Sequence, residues 1–198
     1  MTERRAQTRV SIHPALAERW SPRAFDPDAA LDPEQVIAVL EAGRWAATWG
    51  HRQPVRFVVG LRGDPTFGAI ASLLRRGNAY AKSAGALILL CADEGEDDKT
   101  ALYSHVDAGA AMANMATEAV ARGLISHPMA GFDVEGACGA LAIPAGVRPL
   151  MVVALGSLGD PNIRAPEIAE RDDLPRQRLG LEEIAFAGSW GSPWLTGD

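Results

Sequence analysis

The stretch DAGAAMANMATEAVAR, residues 107–122, decides the fold of this chain. It is rich in alanine and methionine, carries almost no charge and ends before Gly123, which predicts a helix without a strongly polar face. A helix that is apolar on all sides must be covered on all sides. That cover has to come from a sheet of the same chain or from a second subunit.

Three short apolar runs are the candidates for the sheet. Each is bounded by turn-forming residues, and its continuous hydrophobicity predicts a strand buried on both faces. They are FVVGL at 57–61, ALILLCA at 86–92 and LMVVAL at 150–155. A second helix is predicted from 32 to about 47, because Asp32 suits the N-cap and Gln35 the capping-box position.

Length and composition indicate one medium-sized domain. A chain of 198 residues, 47% of them hydrophobic and 22% charged, can bury a core and is unlike a disordered chain. Its net charge of -6 gives no general attraction to nucleic acid or to an anionic membrane. Two cysteines suit neither a disulfide framework nor a zinc cluster. Because the start, MTERRAQTRV, lacks an apolar signal core, we expect a cytoplasmic protein.

Several familiar catalytic patterns do not occur. The chain has no glycine-x-serine-x-glycine elbow, and GLRGDPTFG lacks the strand, glycine motif and helix of a dinucleotide fold. His105 and Asp107 have no further metal ligands beside them. We interpret them as the entry to the alanine-rich helix, with Asp107 near its N-terminus.

The polar stretch 159–175 is the part of the chain most similar to a linker, because it contains Pro161, Pro166 and Pro175.

Arginines cluster near both ends of the chain. Proteins usually hold a phosphate dianion with guanidinium groups and a hydroxyl or backbone N–H. Residues of this kind are Arg19, Ser21 and Arg23 near the start and Arg176 and Arg178 near the end. Either cluster alone is more often a solvated surface feature. The two can form one phosphate site only if the fold brings them together.

Five segments in order carry a resemblance to a known family. They are RWSPRAFDPD (19–28), ATWGHRQPVRF (47–57), RGNAYAKSAGALILL (76–90), DAGAAMANMATEAVARGLISHPMAGFD (107–133) and PRQRL (175–179). In this order and spacing they resemble the FMN-dependent nitroreductase family. The resemblance implies an α+β fold with a central sheet flanked by helices, assembled as an intertwined homodimer with FMN at the interface. It implies one FMN-binding domain over 1–198, in which 159–198 form a C-terminal extension that completes the cofactor site.

The resemblance also implies an activity. FMN would take hydride from NADH or NADPH and pass it, in ping-pong turnover, to a small-molecule electron acceptor such as a nitroaromatic or a quinone. Because the flavin carries the chemistry, no catalytic side chain and no metal is expected. An FMN-dependent dehydrogenase, an oxygen-using enzyme on the same fold and a non-catalytic flavin-binding protein remain as alternatives.

The resemblance assigns residues to the parts of FMN. The first cluster and the two C-terminal arginines would surround the phosphate and ribityl chain. Gln53 falls on a family glutamine, and Asn78 would meet the pyrimidine edge of the flavin, which presents donors and acceptors. The loop 127–131 would cross one flavin face, with the N–H of Ala130 or Gly131 at N5. The cofactor-binding set is Arg19, Trp20, Ser21, Arg23, Trp49, His51, Gln53, Asn78, Pro128, Met129, Ala130, Gly131, Arg176 and Arg178.

The segment 47–55 departs from the family pattern. Trp49 replaces a small hydroxyl residue and His51 replaces an asparagine. In relatives this segment reaches the flavin of the other subunit, so Trp49 could narrow the substrate space and His51 could bond a flavin oxygen. Alternatively, Trp45 and Trp49, four residues apart, stack as core or interface aromatics at the helix end, and His51 only satisfies a backbone group.

Overall fold

The computed structural model describes residues 4–160, 162 and 165–195. Four of its segments form an antiparallel sheet with the spatial order β1-β2-β4-β3. The strands are β1 (Val55–Leu61), β2 (Ala86–Asp93), β3 (Ile125–Met129) and β4 (Val147–Gly156). Helices pack on both faces of this sheet, which confirms the α+β class.

The first five α-helices begin at a residue whose side chain accepts a hydrogen bond from the first turn. Asp32 and Gln35 form the predicted capping box, although this helix ends at Arg44 rather than near residue 47. Short 3-10 turns lie at Trp49–His51 and Arg76–Ser83. The α-helices are α1 (Pro14–Glu18), α2 (Pro33–Arg44), α3 (Pro65–Leu73), α4 (Asp98–Ala121), α5 (Val134–Ala140), α6 (Pro166–Asp172) and α7 (Leu181–Ile184).

Strand β2 lies between two hydrophobic cores. Leu87 and Leu89 point into the core formed with α3 and α5. Ile88 and Leu90 point into the core formed with α2 and α4. Alternation of side chains between the two faces explains why the run is apolar without a break. Burying each of these side chains contributes about 1.5–3 kcal/mol, so β2 is a main source of stability.

Strand β1 does not fit the prediction of burial on both faces. Most of its residues are only partly buried within this chain, because β1 lies at an edge of the sheet and pairs only with β2. Gly60 is the buried exception. A Cβ placed on Gly60 would lie 2.5 Å from the Cα of Phe67, so α3 crosses β1 with its backbone almost in contact. Glycine is required at this crossing.

Helix α4 starts at residue 98 rather than at the predicted 107. Asp97 caps it by accepting hydrogen bonds from the N–H (3.0 Å) and hydroxyl (2.7 Å) of Thr100. The interpretation of Asp107 as an N-terminal residue of the helix is therefore wrong. The chain itself also covers only part of the helix, since Leu102 and Val106 are 60% and 57% exposed.

The segment 127–131 is for the most part a strand and not the predicted loop. Ile125–Met129 form β3, which pairs only with β4 at the second edge of the sheet. Pro128 is tolerated because an edge strand does not need every N–H as a donor. Met129 is buried in the core, and the loop proper begins at the exposed Ala130.

The polar stretch 159–175 is more ordered in secondary structure than a linker. Helix α6 occupies its second half and ends on Asp172, a buried residue. Downstream, Phe186 and Pro193 pair across a short hairpin. Pro161 lies outside the described residues.

Within the described ranges, none of the helices has both the length and the apolar character that crossing a bilayer demands.

Candidate functional site

The arginine clusters from the two ends of the chain meet in one cleft. Its volume is about 350 Å³. The sequence-predicted residues Arg19, Trp20, Ser21, Arg23, Arg176 and Arg178 all line it, together with Arg4 and Arg171. Asp172 is the only carboxylate among the described lining residues. The cleft therefore has a large excess of positive charge, which favours an anionic ligand.

Arg176 joins the C-terminal segment to the N-terminal one. Its guanidinium donates to the carbonyl oxygens of Ala17 (3.1 Å), Arg19 (2.9 Å) and Arg4. Partial burial, and then the nearby Arg19, Arg178 and Arg4 charges, lower the pKa of Arg176. With so many donors bound to backbone oxygens, Arg176 holds the walls of the cleft together.

Arg19 and Arg178 face each other from opposite walls. Burial and the charge of Arg178 lower the pKa of Arg19. Arg19 donates to Ser21 Oγ (3.3 Å), and Arg178 donates to the carbonyl of Gln177 (2.7 Å). Neither forms an ion pair with a carboxylate in the described part of the chain. Two like charges without a counter-ion are what a phosphate site requires.

Arg23 is fixed by a carboxylate from the C-terminal extension. Asp172 accepts from the backbone N–H of Arg23 (2.8 Å) and from its Nη1 (2.8 Å). The Asp172 side chain is 1% exposed and that of Arg23 is 20% exposed. Arg23 Nε is buried and has no acceptor among the described residues. A buried donor of this kind needs an explanation, and a ligand oxygen supplies one.

Two aromatic rings that lie close to predicted site residues in the sequence pack beside Arg23. The Arg23 guanidinium is 5.9 Å from the ring centre of Tyr80, and that ring is 5.2 Å from His127. His127 Nδ1 donates to the carbonyl of Pro22 (3.0 Å). Burial raises the pKa of Tyr80 to about 12 and lowers the pKa of His127, so both rings are neutral near pH 7. The strand β3 and the turn 76–83 are thereby tied to the arginine cleft.

Asn78 and Gly131 form the next contact along this surface. Asn78 Nδ2 donates to the Gly131 carbonyl (2.9 Å), and a Cβ on Gly131 would lie 2.6 Å from that nitrogen. The Asn78 side-chain oxygen remains available as an acceptor. Within the described residues, the backbone N–H groups of Ala130 and Gly131 donate to no backbone carbonyl. Free amides next to an exposed loop can bind a ligand acceptor.

Trp49, His51 and Gln53 do not line the arginine cleft of their own chain. Trp49 stacks on Tyr103 of α4, with ring centres 4.8 Å apart. The alternative in which Trp45 and Trp49 stack as core aromatics is therefore wrong, whereas their packing at an interface stays a prediction. Trp45 instead lies against the Arg44 guanidinium and is 75% exposed.

Asp107 anchors the segment that carries these residues. Its carboxylate accepts from Thr48 Oγ1 (2.8 Å) and from the N–H of Trp49 (3.1 and 3.0 Å to its two oxygens). His51 and Gln53 both have left-handed backbone angles, with φ of 59° and 51°. Their side chains are exposed, and neither makes a hydrogen bond within the described residues. The proposal that His51 satisfies a backbone group is not supported in this chain.

Comparison with known proteins assigns the family. The model of the nitroreductase family matches residues 16–66 and 67–157. The chain belongs to the nitroreductase family. This confirms the resemblance identified from the five sequence segments.

This nitroreductase-family chain is similar to a curated protein and to solved structures. A protein described as an uncharacterised 15.4 kDa protein of Mycolicibacterium smegmatis is 58% identical over 147 residues, which span 70% of this chain and 99% of that protein. An oxidoreductase containing FMN has a TM-score of 0.88 at 30% identity, covering 97% of this chain and 99% of the other. A Desulfovibrio desulfuricans protein in complex with FMN has a TM-score of 0.64 at 28% identity, covering 84% and 96%.

Sequence reasoning missed two buried carboxylates of this nitroreductase-family site. Asp172 lies in the strongly charged stretch ERDDL, where nothing separates it from its exposed neighbour Asp173. The alanine-rich pattern predicts a helix start at Asp107, whereas the residue that caps this helix is Asp97. Both carboxylates bind backbone N–H groups far away in sequence, a contact that local pattern does not reveal.

Proposed function

We propose that the protein is an FMN-dependent oxidoreductase that takes electrons from NADH or NADPH and reduces a nitroaromatic, a quinone or a similar acceptor. The observation that carries the proposal is the meeting of Arg19 and Arg178 without a counter-ion, beside the unsatisfied Nε of Arg23. Membership of the nitroreductase family and the likeness to an FMN-containing oxidoreductase support the same conclusion.

The residues present suit the phosphate end of FMN. Arg19 and Arg178 would clamp the phosphate from two sides, and Ser21 Oγ would add a hydroxyl beside Arg19. Arg23 lies between this end and the Tyr80 surface, so its Nε would meet the phosphate or the ribityl chain. Arg176 would support the clamp from behind through the backbone carbonyls that it binds.

The residues also suit a flavin ring. The Asn78 oxygen is free to accept from the pyrimidine N–H while its nitrogen binds Gly131. The N–H of Ala130 or Gly131 would donate to N5, and Gly131 has no Cβ to obstruct Asn78. The chemistry that FMN would supply when bound is hydride transfer between NAD(P)H and the acceptor. The protein would then need only to bind and orient FMN and the substrates. No titrating side chain is assigned to the reaction.

We further propose that a homodimer completes the site. Exposed apolar side chains follow one face of α4 and α2, including Leu102, Val106 and Ile37. An apolar surface of this kind favours association with another protein surface. The segment around Trp49, anchored on Asp107 next to this face, would then contribute to the second subunit's site. The chain would act as one domain, with residues 159–198 closing the cofactor cleft.

A reconstitution experiment tests this function. The purified protein is incubated with FMN, desalted, and its bound flavin is measured by absorbance. NADH and NADPH oxidation is then followed with a nitroaromatic and with a quinone, and parallel double-reciprocal lines are expected for ping-pong turnover. A protein that retains no FMN would overturn the proposal. Bound FMN with no pyridine-nucleotide oxidation would instead favour a dehydrogenase, an oxygen-using enzyme or a flavin-binding protein without activity.

A further inference from the structure

We propose that Asp172 is a positioning residue for the cofactor site, acting through Arg23. The inference rests on the proposed FMN binding and deepens it. Asp172 does not bind the ligand itself, because an ionised carboxylate has no N–H or O–H to donate and would repel a phosphate. It instead determines where the Arg23 guanidinium lies, and so it makes cofactor affinity depend on helix α6.

The geometry supports a role in positioning. One oxygen of Asp172 holds the main-chain N–H of Arg23, and the other holds Nη1 of the same residue. Both bonds are 2.8 Å long, although the residues are 149 positions apart. Fixing the backbone and the side-chain tip of one arginine leaves its long side chain little rotational freedom.

The donors of Arg23 that Asp172 does not bind are what this arrangement presents to a ligand. Nε is buried and has no acceptor among the described residues, while Nη1 is occupied by Asp172. The guanidinium is planar, so binding at Nη1 also determines the direction of the Nε–H bond. Burial of the Asp172 carboxylate strengthens its hydrogen bonds to Arg23, because bulk water does not compete for the carboxylate oxygens.

A purely structural explanation is the rival. In it, the ion pair only fastens α6 to the N-terminal segment, and losing it lowers stability without altering the site. A third possibility is that Asp172 acts only through its charge, in which case removing the charge would tighten the binding of an anion. The three roles differ in what happens to FMN affinity when Arg23 is absent.

The test compares Asp172→Asn with Glu170→Gln, which removes the same charge from an exposed position of the same helix. FMN and riboflavin dissociation constants are measured by flavin fluorescence in the purified full chain. We expect Asp172→Asn to weaken FMN binding roughly tenfold or more, as loss of a charge-assisted contact does. Glu170→Gln should change FMN affinity less than roughly twofold.

A double-mutant cycle separates positioning from the rivals. In an Arg23→Gln background, Asp172→Asn should have no further effect on FMN affinity. An equal loss in both backgrounds would show that Asp172 does not act through Arg23 and would overturn the inference. Tighter FMN binding by Asp172→Asn in the wild-type background would also overturn it, since that is the result expected from charge alone.

A second variant covers the case in which Asp172→Asn does not fold. Arg23→Lys keeps the charge but replaces the planar fork with a single ammonium group. We expect it to weaken FMN binding as strongly as Asp172→Asn would, whereas unchanged affinity would overturn the inference. Wild-type protein that does not bind FMN contradicts the proposed function itself. Wild-type binding together with an Asp172→Asn affinity equal to that of Glu170→Gln contradicts only the role of Asp172.

Discussion

Replacing Arg176 by alanine should affect a different property of the protein from replacing Arg178 by alanine, although the residues are only two positions apart. Arg176 binds three backbone carbonyls and supports the cleft. Arg178 has one hydrogen bond, to the adjacent Gln177 carbonyl, and faces Arg19. We expect Arg176→Ala to destabilise the fold and Arg178→Ala to weaken FMN binding while leaving stability almost unchanged.

The magnitudes follow from these contacts. A net contribution of about 1 kcal/mol for each hydrogen bond of Arg176 gives roughly 3 kcal/mol for three. For a chain of this size, that loss corresponds to a decrease in Tm of roughly 6–12 °C. Removing Arg178 takes one charge-assisted contact of about 1.5–3 kcal/mol from the phosphate, which is roughly a ten- to hundredfold loss of FMN affinity. Stability should change by less than about 0.5 kcal/mol.

Thermal unfolding without flavin and fluorescence titration with FMN and riboflavin measure the two effects. Riboflavin lacks the phosphate, so its affinity should not respond to Arg178→Ala. Arg122→Ala is the matched control, since it removes an exposed arginine whose partner is Glu118 on the same helix. An Arg178→Ala protein with a strongly reduced Tm and wild-type FMN affinity would show that the division of roles between the two arginines is incorrect.

Three further changes test other parts of the structure. Gly60→Ala should cost about 1–3 kcal/mol or prevent folding, because its Cβ would collide with the backbone of Phe67; chemical denaturation measures this. Asp107→Ala should free the backbone N–H of Trp49, cost about 1–3 kcal/mol and speed amide hydrogen exchange around that residue. Burial lowers the pKa of His127 below its ordinary value of 6.5, so the unfolded state binds more protons as the pH falls through that value. Stability should therefore decrease as the pH falls below about 6.5, and His127→Asn should reduce that decrease in the measured Tm.

Each of these changes has a control within the chain. Gly68→Ala adds a Cβ with nothing within 4 Å, in the helix that Gly60 contacts, and should be neutral or stabilising. Asp98→Asn removes an exposed carboxylate from α4 and should not change hydrogen exchange near Trp49. His51→Asn removes an exposed imidazole and should leave the acid sensitivity as it is in the wild type. Equal behaviour of a test variant and its control would refute the corresponding prediction.

Strands of the sheet were predictable where the sequence has a continuous run of hydrophobic residues. A strand whose run is interrupted by polar residues was not predictable. The run 86–92 lies within β2 and is buried because helices cover both sides. ISHPM, which forms β3, contains two polar residues and a proline, so its periodicity is not that of a buried strand. It forms a strand because it pairs with β4 along the sheet edge. This partner is distant in sequence.

The candidate site was predictable as a set of residues and not as a set of contacts. The resemblance and the charge of the chain ends indicated that Arg19, Arg176 and Arg178 belong together, and they do line one cleft. Sequence cannot distinguish an arginine that binds backbone carbonyls from one that faces a ligand. The difference depends on which carbonyls lie within hydrogen-bonding distance after folding. The buried position of Asp172 depends on the same long-range packing.

The cleft takes one wall from residues near 20 and the other from residues near 176, and this has a consequence for biosynthesis. Ribosomes extend proteins from the N-terminus, so the first wall leaves the exit tunnel long before the second. A nascent polypeptide halted after β4 contains the strands β1 to β4, yet it lacks Arg176, Arg178 and Asp172. Capture of the cofactor should accordingly wait until residues 172–178 have been translated, well after the four strands of the sheet have left the ribosome.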